Sequence, residues 1–130
     1  MTAGKRRTAR EMAIQMLYQS DLGGSPMSHI FNTFDLGEYL AAEEREATKR
    51  AATPEARAEA RDEQSRRRKR VEEAFRYARQ LVEGTVEHRE TIDELIRSQA
   101  DNWRLERMPA VDRNILRLAV YEMLHERETP

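Results

Sequence analysis

KRRTAREMAIQMLYQSD, residues 5–21, sets the reading of the whole chain. Ala9, Met12, Ala13, Met16, Leu17 and Ser20 recur at three- and four-residue steps, which places them on one face of an amphipathic helix over about Thr8–Ser20. Ahead of that face stand Lys5, Arg6, Arg7 and Arg10, with no acid among the first ten residues. Positive charge at a helix start opposes the helix dipole by about 0.3 kcal/mol or more per residue. The cluster therefore either serves something outside the fold or is an ordinary basic terminus, and composition does not separate the two. Tyr18 lies about 100° around the helix from Leu17. It is either a core residue with its hydroxyl at the surface or a ring offered for base stacking.

Outward from this helix, LGGSP at 22–26 stops the pattern, because glycine lowers helix propensity and proline restarts the chain. A short helix after Pro26 is expected to bury Ile30, Phe31 and Phe34. Residues 41–70 are an alanine, arginine and glutamate tract with almost nothing to bury. They predict an exposed helix or a charged insertion, with acid-before-base pairs at Glu46/Arg50, Asp62/Arg66 and Glu63/Arg67. The run RRRKR at 66–70 is either a solvated face or a contact for a phosphate backbone. From Val71 the helical period returns through Ala74, Phe75, Ala78, Leu81, Val82 and Val86. Gly84 inside it suggests close approach of another helix. Thr91 and Glu94 have capping-box spacing ahead of Ile92, Leu95 and Ile96. Trp103 and Leu105 fall in a connection, and Trp103 reads as a packing plug. Pro109 suits the first turn of a last helix whose buried face is predicted as Val111, Ile115, Leu116, Ala119 and Met123. Few glycines and prolines and no β-branched runs make the fold class all-α.

The 130 residues fit one domain. Charged residues make up 36%, yet the formal net charge is only -1, so any attraction to nucleic acid is local. The absence of cysteine excludes disulfides and thiolate metal sites. No apolar run has membrane-spanning length and no signal-peptide core follows the basic start, so no membrane is expected and the location is read as cytoplasmic. His29, His88 and His125 follow no metal-ligand spacing, and the glycines form no phosphate loop. No catalytic residue, metal or cofactor is predicted, and the chain is read as a non-enzyme.

Two blocks, RTAREMAIQMLYQSD at 7–21 and IDELIRSQADNWRLERMPAVDRNILRLAVYEMLHERETP at 92–130, resemble the NusB family of bacterial transcription antitermination factors. FRYARQLVEG at 75–84 resembles the corresponding family segment. The resemblance implies two small helical bundles packed together. It implies binding of boxA-type leader RNA as a heterodimer with NusE, a small-subunit ribosomal protein. That pair acts in an antitermination complex with NusA, NusG and RNA polymerase that supports processive rRNA transcription. The family's RNA-binding positions fall on Lys5, Arg6, Arg7, Arg10, Tyr18 and Glu128. Asp112, Arg113, Arg117 and Glu122 either pair within the bundle or face the partner protein.

The sequence departs from the family pattern in two places. Residues 41–70 are longer and more charged than is usual. The family also continues through further helices past the position of Pro130. Without them the second bundle is expected to be incomplete, with apolar faces at 92–124 uncovered and a homodimer as one outcome. Two other functions fit the residues. One is the NusB-like RNA-binding domain of an rRNA cytosine methyltransferase. The other is a helical protein-interaction module that does not bind RNA.

Overall fold

The computed structural model describes residues 3–34, 36–50, 53–99 and 104–125. They are almost all helical, with no strand among them, and the all-α expectation holds. The first helix, α1 (Ala3–Gly23), extends beyond its apolar repeat at both ends and includes the basic run. Ala9, Met12, Ala13, Met16 and Leu17 are all buried. Full burial of side chains such as Met16 and Leu17 contributes about 1.5–3 kcal/mol each. The helix stops where Gly24 takes φ +63°, a left-handed conformation that glycine adopts without strain. There its N–H donates to the Ser20 carbonyl at 3.2 Å. Helix α2 (Met27–Thr33) buries Ile30 and Phe31, and the partly buried Phe34 just past its end stacks on Phe75.

The charged tract is helical through its described residues, divided between α3 (Leu36–Arg50) and the 34-residue α4 (Pro54–Glu87). Thr53 caps α4, its hydroxyl accepting from the Ala56 N–H at 3.0 Å, with Pro54 at the first helical position. The second half of α4 buries Val71, Ala74, Ala78, Leu81 and Val82 against α1. Half-buried Ala56, Glu63 and Arg67 continue that line at helical spacing into the charged half. Glu63 pairs with Arg66 and, at 3.5 Å, with Arg70, rather than with Arg67 as its i,i+4 spacing predicted. Glu46 lies 3.8 Å from Lys49. The side chains of Arg50 and Asp62, from the other two predicted pairs, are outside the described residues, as is Trp103.

A single residue, His88, separates α4 from α5 (Arg89–Gln99). The His88 N–H donates to the Gly84 carbonyl, while the His88 carbonyl accepts from the Ile92 N–H at 2.9 Å. Helix α5 therefore starts at Arg89 and holds Thr91 inside its first turn, so the capping box predicted at Thr91 and Glu94 does not form. A 3-10 turn (Leu105–Arg107) buries Leu105 and leads to α6 (Ala110–His125), which starts directly after Pro109. α6 packs closely on α4 at Gly84, where a Cβ would lie 2.1 Å from Tyr121 Oη. The larger apolar core joins α1 to α4 and takes in Leu118 of α6. The smaller one groups Ile92, Ile96, Leu105 and Val120, and Tyr121 borders both.

The face predicted for α6 is the wrong one. Val111, Ile115 and Met123 are exposed, with Met123 at 76%, and so is Ala119, while Leu116 is half-buried. The buried side is Asn114, Arg117, Leu118, Val120 and Glu122. On α5, Leu95 is exposed and Asp93 is buried instead. Three of the buried α6 residues are polar and find partners on α1 and α5, which an apolar count does not register.

Candidate functional site

The basic start of α1 is not one uniform patch. Lys5 turns toward α4 and pairs with Glu73. Arg6 is half-buried. Arg7 is 85% exposed, with only a loose 3.7 Å approach to Glu11. Arg10 turns the other way, to α6, where its Nε donates to both oxygens of Glu122 at 3.0 and 3.1 Å. The Glu122 side chain is 6% exposed and that of Arg10 35%, so the carboxylate of this pair is largely withdrawn from water. That hydrogen bond raises the Arg10 pKa above the ordinary arginine value. Lys5 and Arg10 thus bind their own helices together, while Arg7 faces outward.

Tyr18 is exposed, which favours the available ring over the core reading. It lies eleven residues after Arg7, about 16 Å along the axis and within about 20° of the same direction around it. Arg7, Glu11, Gln15 and Tyr18 form one exposed stripe along α1. Beside Tyr18 a surface hollow of about 340 Å³ is shared with Gln19, His29 and Thr33. The stripe puts a cation, a carboxylate, an amide and an aromatic ring in a row, of which Arg7 and Tyr18 suit a single nucleic-acid strand. Glu128 lies outside the described residues and is not placed.

At the other end of α1 a buried ionic junction holds the bundle. Asp21 receives Arg113 Nη2 at 2.7 Å, Asn114 Nδ2 at 3.1 Å and Arg117 Nη1 at 3.4 Å. Arg117 also grips Asp93 of α5 in a two-pronged contact, at 2.8 and 2.9 Å. Arg113 donates to the carbonyls of Leu105 and Met108 as well. Burial pushes the Asp21 carboxyl up, but hydrogen bonds from Arg113 and Asn114 and the charges of Arg113 and Arg117 outweigh it and hold its pKa below the usual range. Arg113, Arg117 and Glu122 therefore pair within the molecule, which settles one of the two roles left open for them.

The residues that sequence reasoning missed are the partners Glu73, Asp93 and Asp21, and for Glu122 it missed which cation it meets. Glu73 and Glu122 are 68 and 112 residues from the cations they bind, so no local spacing signals them. Among the described residues no group of three or more His, Asp or Glu side chains is placed to hold a metal ion. Nor is any described helix long and apolar enough to cross a membrane.

The fold is an all-α scaffold whose internal charges are locked in ion pairs. Residues 7–130 match the profile of the NusB family. The transcription antitermination protein NusB of Myxococcus xanthus is 35% identical over 127 residues, covering 98% of this chain and 72% of that protein. Those of Bacillus thuringiensis and Bacillus anthracis are each 38% identical over 128 residues, covering 97% of this chain and 72% of the relative. No solved structure matches the chain significantly. The chain belongs to the NusB family.

Proposed function

We propose that this chain is a transcription antitermination factor that binds boxA-type leader RNA together with NusE. In this reading it acts in the cytoplasm, and the pair joins NusA, NusG and RNA polymerase to support processive rRNA transcription. The observation that carries the reading is near-complete coverage of the chain by relatives named transcription antitermination protein NusB. The outward Arg7, with Arg6 beside it and Tyr18 further along α1, suits such a role. The arginines neutralise phosphates and the tyrosine ring stacks on a base.

The test is fluorescence anisotropy of a labelled boxA RNA against a scrambled RNA, with and without NusE. Arg7→Ala is expected to weaken boxA binding several-fold and to leave thermal stability unchanged. Arg10→Ala is expected to lower stability as well, because it leaves Glu122 buried without its guanidinium. Equal, feeble binding of both RNAs by the unaltered chain, with NusE present, sinks the proposal. A second reading, a protein-interaction module without RNA affinity, draws on the exposed Val111, Ile115, Met123 and Leu124 of α6. It predicts NusE binding or a homodimer in sedimentation, and no RNA complex.

A further inference from the structure

A cleft of about 410 Å³ opens between the start of α1 and the middle of α4. Lys5 and Thr8 line it from α1 and Arg67 and Arg70 from α4, over a floor of Val71 and Ala74. Glu73 holds Lys5, and Glu63 holds Arg66 and reaches Arg70 at 3.5 Å. Arg67 has no acidic partner among the described residues, although it is half-buried at the cleft. A guanidinium set over an apolar floor and partly screened from water attracts an anion more strongly than one on an open surface. Its planar fork matches two oxygens of one phosphate, and the Thr8 hydroxyl supplies a neutral donor. Arg7 and Thr8 are neighbours on α1, about 100° apart around a helix about 10 Å across, so a strand held at Arg7 reaches the Thr8 rim of the cleft.

We propose that this cleft is a phosphodiester subsite, in which Arg67 and Arg70 with Thr8 hold the backbone of the RNA strand that also contacts Arg7. It gives the RRRKR run at 66–70 a role, and it rests on the RNA-binding reading above. The experiment titrates boxA RNA with the full chain and NusE across a series of salt concentrations. It compares the unaltered chain, Arg67→Gln/Arg70→Gln and the charge-matched Arg68→Gln/Lys69→Gln, whose side chains do not line the cleft. Each lost phosphate contact lowers the slope of log affinity against log salt by about 0.7 for a single strand. The cleft variant is expected to bind several-fold more weakly with a slope shallower by about 1.4, and the control to change much less. Arg67→Lys, which keeps the charge and loses the fork, is expected to keep the slope and weaken affinity; it carries the test if the double variant misfolds. Equal effects of the cleft variant and its control, with boxA binding by the unaltered chain intact, overturn the subsite and leave the RNA reading standing. Failure of the unaltered chain to prefer boxA overturns both.

Discussion

Arg117 and Arg45 both hold a carboxylate at hydrogen-bonding distance, but in very different surroundings. Arg117, in the junction beneath α6, is 6% exposed and grips Asp93 in two parallel bonds while leaning on Asp21. Arg45, in the charged tract of α3, is 61% exposed and touches Glu38 through one nitrogen at 3.1 Å. In the junction, water has been replaced by fixed partners, so each charge depends on the others remaining in place. In the tract, water competes for both ends of each pair and the side chains lose rotamer freedom in making it. The junction ties α1, α5 and α6 together, whereas the tract decorates helices that are held by their own backbone bonds and by apolar residues further along.

The strongest way to break this contrast is Arg117→Ala. Among the described residues it leaves buried Asp93 with only Arg89, 3.9 Å away, and removes one of the cations around Asp21. Breaking a buried pair by deleting one partner costs about 3–5 kcal/mol. Urea unfolding followed by circular dichroism should show a loss of that size with an unchanged m-value. A loss below about 1 kcal/mol, the range of exposed pairs, would mean that the junction contributes no more than the surface does.

The Asp21→Asn variant sharpens the contrast through pH. The folded Asp21 carboxyl is held below its ordinary value, and an unfolded aspartate titrates near about 3.9. Its contribution to stability is therefore fully present above about pH 4 and is lost as pH falls from there through the lower folded pKa. At neutral pH the variant should be less stable by about 1–3 kcal/mol, because charge-assisted hydrogen bonds are weakened. That gap should narrow as pH drops below about 4, since the wild-type carboxyl then also becomes neutral. Melting temperatures of both proteins across this range check it, and a gap that stays constant or widens in acid would contradict the role assigned to Asp21.

These effects explain which parts of the molecule were legible in its sequence. The buried faces of α1 and of the second half of α4 are runs of alanine, methionine, leucine and valine at helical spacing, and the structure buries those residues. Even the close packing at Gly84 was signalled, by a glycine where the period called for a side chain. On α6 the same logic chose the wrong face, because Arg117, Asn114 and Glu122 go inward to meet Asp21, Asp93 and Arg10. Burial of a charge depends on a partner that the local sequence does not reveal. The candidate site shows the same division. The concentration of arginines in the first turns is plain in the sequence. That Arg7 points outward while Arg10 is held by Glu122 depends on contacts between α1 and a helix more than a hundred residues later.

The smallest expected effect belongs to the exposed tract. Glu38→Gln removes the charge that Arg45 touches and changes no buried surface, so stability should shift by no more than about 0.5 kcal/mol. Even that small shift should fade in high salt, because ions screen charges that stand in water. A loss of about 2 kcal/mol or more, well above the range of exposed ion pairs, would show that the charged tract bears on the fold as the junction does. A near-zero result leaves the tract free to carry charge for a purpose other than stability. Arg67 is in that position: its charge has no acidic partner among the described residues at the mouth of a cleft beside the basic start of α1. A fold that does not need this charge can present it to an anionic strand without loss of stability when the strand leaves.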